Sequence, residues 1–156
     1  MNFAIVGATG NVGRKTIKIL EKSKLKISNL FLVASTRSVG KKISFKKKKI
    51  KIEALKNYDF SKASITFFAA GSALAKKWVP IAAKKTIVID NSKHFRMDKN
   101  ISLVVPEVNE SVLKNFKKTN IIANPNCSTT QLVVALKPLH DKFKIKRIVV
   151  STYQAV

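Results

Sequence analysis

Acidic residues are scarce and cysteine is almost absent: the 156-residue chain carries 8 Asp plus Glu against 31 Lys plus Arg, and one cysteine, Cys127. A single cysteine closes no internal disulfide, so nothing points to an oxidising compartment, and a lone Cys in an intracellular enzyme is a candidate nucleophile. Long apolar runs are missing as well. Lysines interrupt every stretch well short of the roughly 18 to 20 uncharged residues that a spanning helix needs, which excludes such a helix here. There is no Gly/Ser linker, no internal repeat and no low-complexity segment beyond Lys46-Lys47-Lys48-Lys49. With 46% of residues hydrophobic, the expectation is one domain with a sizeable core. Met1-Asn2-Phe3-Ala4-Ile5-Val6 enters an apolar run with no basic leader and no small-residue cleavage site, so a cytoplasmic protein is expected.

The formal charge of +23 raises the question of a nucleic-acid partner. The basic residues are overwhelmingly Lys and are spread over almost every element. The sequence also lacks an aromatic-and-glycine RNA-binding sheet, a basic helix with heptads and a zinc-ligand set. Dispersed lysine of this kind reads as a solvated surface, so neither a specific nucleic acid, a metal nor a membrane is expected as a partner.

Strand-like and helix-like segments alternate from the start, which predicts parallel strands joined by crossover helices, an α/β class. Phe3 to Val6 is a strand that runs into a helix over Val12 to Leu25, with Val12, Thr16, Ile19 and Leu20 at helical spacing. Leu30 to Ala34 is a second strand. Ile43, Phe45, Ile50 and Ile52 alternate with lysines, which predicts a hairpin with Lys46 to Lys49 as its turn. Ile65 to Ala69 and Thr86 to Asp90 are further strands, flanking a helix that contains Trp78 and Pro80. Leu103 to Val105 is apolar, Glu110 to Lys117 helix-like, and Ile121 to Ala123 strand-like. Ser128 to His140 reads as a helix with Leu132, Val133, Leu136 and Leu139 on one side, and Ile145 to Val150 as a last strand. Polar clusters fall mostly at strand C-termini, where an open α/β sheet binds its ligands.

Gly7-Ala8-Thr9-Gly10-Asn11-Val12-Gly13 is a GxxGxxG turn between the first strand and the first helix. Glycines there allow a tight turn and a close backbone approach to a pyrophosphate, and the helix N-terminus favours an anion. Gly7, Thr9, Gly10, Asn11, Val12 and Gly13 are therefore candidate cofactor residues. At the end of the second strand, NAD-preferring proteins place a carboxylate for the ribose 2′-hydroxyl. Ser35-Thr36-Arg37-Ser38 stands there instead, and a guanidinium with hydroxyls suits a 2′-phosphate, so NADP is expected over NAD. Cys127 follows Asn124-Pro125-Asn126 and opens a helix-like run. Pro125 disfavours helix at Asn124, so the helix should start near the sulfur, where its positive dipole end favours the nucleophilic thiolate. From spacing alone, a small residue capping a helix under a loop explains Cys127 equally well.

Together these motifs resemble one family, the aspartate-β-semialdehyde dehydrogenases. Gly7 to Gly13 is similar to its cofactor loop and Ser35 to Ser38 to its 2′-phosphate loop. Phe67-Phe68-Ala69-Ala70-Gly71-Ser72 resembles the strand end on the nicotinamide side, which adds Gly71 to the cofactor set. Val88-Ile89-Asp90-Asn91-Ser92 with Phe95-Arg96-Met97-Asp98 resembles the segment whose Arg, here Arg96, helps bind phosphate, and Val104 to Asn109 the segment that follows it. Asn124-Pro125-Asn126-Cys127-Ser128-Thr129 resembles the active-site motif, and Ser151 to Val156 the strand end whose Gln, here Gln154, contacts substrate. The resemblance implies a Rossmann-like NADP-binding domain with a mostly parallel sheet, spanning 1–156 and including the catalytic-cysteine loop and the start of a hinge. It also implies an NADP-dependent reductive dephosphorylation of L-4-aspartyl phosphate to L-aspartate 4-semialdehyde in amino-acid biosynthesis (Lys, Met, Thr, diaminopimelate). Cys127 would be the nucleophile, passing through a thioester, with Asn126 and Arg96 on phosphate. The whole enzyme would be a homodimer or a dimer of dimers.

Departures from the pattern matter for the chemistry. The family uses a His far downstream of its Cys as general base, and this chain has only His94 and His140. His140 lies 13 residues past Cys127 on the predicted helix, about 20 Å away at 1.5 Å per residue. Lys93 and His94 stand where the family generally has small residues. The substrate Arg, phosphate Lys and dimer surface of the family would lie beyond Val156, so a truncated chain with its second domain missing, little turnover and an exposed apolar patch is the expectation. N-acetyl-γ-glutamyl-phosphate reductase shares the plan but has an aromatic after its Cys, where Ser128 stands here. A non-catalytic dinucleotide-binding module with an inert cysteine is the other alternative.

Overall fold

The computed structural model describes residues 1–153. Gln154 lies outside the described residues. β1 (Asn2–Val6), β2 (Asn29–Ala34), β3 (Lys42–Phe45), β4 (Lys48–Ala54), β5 (Ile65–Phe68), β6 (Ile87–Asp90), β7 (Ser102–Leu103) and β8 (Ile121–Ala123) form one sheet, in the order β3-β4-β2-β1-β5-β6-β8-β7. Every pairing is parallel except β3 with β4. The helices are α1 (Asn11–Lys22), α2 (Ser72–Ala83), the short α3 (Pro106–Asn109) and α4 (Cys127–Phe143). This is the expected Rossmann-like α/β arrangement.

Side-chain alternation along the central strands divides the core in two. Phe3 and Ile5 of β1 with Leu30 and Leu32 of β2 pack beneath Ile17 and Leu20 of α1. Ala4, Val6, Val33, Phe68 and Val88 point the other way, onto Ala75, Val79 and Ala82 of α2. The buried stripe of α1 is Gly13, Ile17 and Leu20, while Val12 and Ile19 are exposed. The expected stripe was Val12, Thr16, Ile19 and Leu20. Gly13 has to face the preceding turn, and this rotates the helix so that its i+4 and i+7 neighbours go inward.

Three other expectations are corrected or refined. The hairpin forms, but its turn is only Lys46-Lys47, at φ 46° and 66°, and Lys48 and Lys49 already belong to β4. Glu110–Lys118 winds as a 3-10 helix. Among the described residues no strand follows β8, so Ile145 to Val150 is not the predicted last strand. β-branched residues favour extended backbone, but a strand also needs an edge whose N–H and C=O groups it can satisfy. Ile145 and Ile148 instead border a groove with Leu136 and His140 of α4. None of the 17 residues of α4 is buried.

Candidate active site

The strand order reverses direction on either side of β1, so the crevice between the C-terminal ends of β1 and β5 is the topological switch point. Gly7 leaves β1 at φ 85°, its N–H donating to Val33 O at 2.8 Å, while Ala69 N–H donates to Val6 O at 2.8 Å. A Cβ on Gly7 would stand 2.5 Å from Ala69 O, and one on Gly13 2.3 Å from Gly7 O. Only glycine lets the turn, the β5 exit and the first turn of α1 lie this close. Gly10 caps α1 and Gly71, at φ 79°, caps α2, both without a side-chain acceptor. The first N–H groups of both helices thus face the same edge with no side chain capping them, which fits a bound pyrophosphate. Arg14 Nε steadies the turn by donating to Thr9 O at 2.9 Å.

Beside this turn a cleft of about 350 Å³ is lined by Gly7, Thr9, Ser35, Thr36, Leu55, Lys56, Leu74 and Trp78, among others. Its walls join the exits of β1, β2 and β4. Arg37 and Ser38 complete the 3-10 turn Thr36–Ser38 without lining the cleft, and Arg37 is exposed.

Cys127 is exposed and is the first residue of α4. Asn126 caps that helix, its Oδ1 accepting from Ser128 N–H at 2.9 Å and Thr129 N–H at 3.5 Å. The capping amide leaves its NH2 side as the part able to meet an anion. Behind the loop, Arg96 Nε donates to Asn124 O at 2.9 Å and Nη2 to Asn91 O at 3.2 Å. Asn124 Nδ2 donates to Asn91 Oδ1 at 2.6 Å, and Asn124 N–H to Asp90 O at 2.8 Å. These bonds tie the exits of β6 and β8 together, three residues before the thiol. Asp90 is fully buried at the end of β6. Burial raises its carboxyl above the ordinary 3.8, against the pull of Ser92, whose Oγ and N–H donate to it at 2.6 and 3.2 Å. A cleft of about 610 Å³ opens beside Cys127, lined by Asn126, Ser128, Thr129, Gln131 and Leu132 with Val150 and Thr152.

A family described as semialdehyde dehydrogenase, NAD binding domain, matches residues 2–116. The chain belongs to this family. Among individual proteins, the aspartate-semialdehyde dehydrogenase of Aquifex aeolicus is 55% identical over 98% of the chain, and that of Rickettsia bellii 49% identical over 99%, each match covering 46% of the relative. The chain therefore spans about half the length of the curated relatives it matches. The solved structure of aspartate semialdehyde dehydrogenase II from Vibrio cholerae, complexed with ASA, superposes with a TM-score of 0.89 at 48% identity, over 90% of this chain and 46% of that one. Aspartate semialdehyde dehydrogenase with NADP from Candida albicans superposes at 0.75 with 28% identity, over 91% and 47%.

For a semialdehyde dehydrogenase domain, the predicted residues fall into two groups on one sheet edge. Gly7 to Gly13, Gly71, Ser35 and Thr36 surround the switch-point crevice and its cleft; Cys127, Asn126 and Arg96 gather at the exits of β6 and β8. His94 packs edge-on against Phe95, ring centroids 4.6 Å apart, and is exposed, whereas His140 sits in the last turn of α4. Sequence reasoning missed Lys56, Trp78 and Gln131. Gln131 had a signal, the i+4 spacing from Cys127 on one helix face. Lys56 had none, because its place follows from the pairing of β2 with β4.

Proposed function

We propose that the chain supplies the NADP-binding and nucleophile-bearing part of an aspartate-semialdehyde dehydrogenase. The observation that carries this reading is Cys127 at the start of α4, on a loop tied down by Arg96 and Asn126 at the same sheet edge as the glycine turn. The relatives named above support the substrate, and the Candida albicans complex supports NADP. Gly7 to Gly13 holds the pyrophosphate against the N-terminus of α1, and the Ser35-Thr36 turn takes the adenosine ribose.

In the biosynthetic direction the Cys127 thiolate attacks the acyl carbon of L-4-aspartyl phosphate. The C–S bond forms, the C–O bond to phosphate breaks, and an acyl thioester remains. We assign the departing phosphate oxygens to Arg96 and the Asn126 amide, whose N–H groups suit an oxyanion. The glycine turn Gly7 to Gly13 and the Ser35-Thr36 turn would hold NADPH, which would supply the hydride for the thioester carbon. The resulting thiohemiacetal then collapses, releasing L-aspartate 4-semialdehyde and the thiolate. The proton that moves in this collapse needs a carrier within hydrogen-bond reach, and His140, about 20 Å along α4, is not one. We assign that role, the second half of the substrate site and assembly into dimers to residues outside this chain, and place Gln154 at the substrate.

The test is a phosphate-dependent assay of NADP reduction with aspartate semialdehyde, on the chain joined to the remaining half of a relative such as the Aquifex aeolicus enzyme. Activity is expected there and absent from the 156 residues alone. Cys127→Ser should lower kcat by about a thousandfold or more. Retained activity in that variant, or a preference for N-acetylglutamate semialdehyde, would overturn the proposal. If the chain binds NADPH but Cys127 resists iodoacetamide at all pH values, a non-catalytic binding module is the better description.

A further inference from the structure

The bonds behind the Cys127 loop converge on a residue that takes no part in the chemistry above. Asp90 ends β6 and is fully buried. Its main-chain oxygen accepts from Asn124 N–H at 2.8 Å, which fixes the exit of β8 three residues before Cys127. Its carboxylate accepts from Ser92 Oγ at 2.6 Å and from Ser92 N–H at 3.2 Å, and Ser92 Oγ in turn accepts from His94 N–H at 3.1 Å. The chain over 91–95 is therefore wound on this carboxylate, with Ser92 and Phe95 both buried. Arg96 follows at once, half-buried, with Nε on Asn124 O and Nη2 on Asn91 O. Those two bonds pin the guanidinium between the exits of β6 and β8 and leave its remaining N–H donors for an oxyanion. A carboxylate as deep as Asp90 is costly unless its oxygens are satisfied. Ser92 satisfies both of them, so the buried group acts on the path of the loop that leads to Arg96.

We propose that Asp90 is a positioning residue: together with Ser92 it holds residues 91–95 in the path that presents Arg96 to the phosphate oxygens beside Cys127. This rests on the phosphate role proposed above for Arg96. Asp90 itself touches no substrate. It acts through Arg96, as a supporting group that fixes the backbone and rotamer of the side chain in contact.

The test reads how well inorganic phosphate protects Cys127 from iodoacetamide on the 156-residue chain. Cys127 is the single cysteine, so the mass gained reports it alone. Chloride holds the ionic strength constant, which removes general screening of the lysine surface from the comparison. Phosphate should slow alkylation of the unsubstituted chain. Asp90→Asn and Ser92→Ala should each raise the phosphate concentration that halves the rate by about tenfold or more. Arg96→Met should remove most of the protection, and adding Asp90→Asn to it should change nothing further, a non-additivity that a merely structural role would not produce. Far-UV circular dichroism reports the folding of each variant, and Ser92→Ala, which keeps the carboxylate, carries the same comparison if Asp90→Asn does not fold. Unchanged protection in the folded variants, or a further loss when either is added to Arg96→Met, would overturn the role of Asp90 and leave that of Arg96 standing. No protection of the unsubstituted chain, or full protection in Arg96→Met, would overturn the phosphate role of Arg96 and Asp90 with it.

Discussion

Replacing Asn126 by Ala removes the acceptor shared by the N–H groups of Ser128 and Thr129, and should cost about 1 kcal/mol, read as a lower urea midpoint. Asn126→Ser should keep the cap and the stability while losing the amide NH2, which separates capping from phosphate binding. Asp90 gives a second prediction. Its carboxyl titrates above 3.8 in the folded chain because it is buried, so folding favours the protonated form. Its contribution is therefore fully present below 3.8 and is lost as pH rises through the higher folded value. Urea titrations of the parent and Asp90→Asn at a series of pH values should show the parent losing ground to the variant as pH rises from about 3 to about 7. A constant difference would contradict this. At this scale the glycine turn was legible from its GxxGxxG spacing between the first strand and the first helix, although the close approach that demands Gly7 is to Ala69 O on the neighbouring strand. The clamp from Arg96 to Asn124 was not, since its partners are 28 residues apart and meet only after β6 pairs with β8.

The buried strands β1, β2, β5, β6 and β8 were legible as apolar runs, whereas the buried face of α1 and the fate of Ile145 to Val150 depend on contacts that periodicity does not show. The alternation of Ile43, Phe45, Ile50 and Ile52 specifies the β3–β4 hairpin, while the backbone needed to close it does not suit its residues. Lys46 and Lys47 occupy a two-residue turn with both φ positive, a type I′ geometry that favours Asn-Gly. Replacing the pair by Asn-Gly should stabilise the chain by about 1 kcal/mol, measured as a higher urea midpoint. Ile145 to Val150 is the opposite case. Its composition is strand-like, but no edge receives it among the described residues, and pattern alone cannot supply one. Lys56 belongs to the same class, hidden until the register of β2 and β4 is known.

Across the whole molecule the charge of +23 is scarcely neutralised: among the described residues two ion pairs form, Lys62 with Glu53 and Lys137 with Asp141. Self-repulsion of that size should be relieved by screening, so the thermal midpoint should rise as NaCl increases from about 10 to about 200 mM. A flat response would mean the lysines are too far apart to interact. Against this surface, protection from solvent is very uneven. Ala4, Ile5, Val6 and Phe68 are completely covered at the sheet centre, whereas α4 contributes nothing to the core. Amide hydrogens of β1 and β5 should therefore exchange with deuterium only through global opening, and those of α4 through local opening at a much smaller free energy. Cys127, the proposed nucleophile, thus begins a helix expected to open locally, held at its near end by Asn126 and the Arg96 clamp. Occupancy of the adjoining cleft by substrate should register first as slowed deuterium uptake along α4.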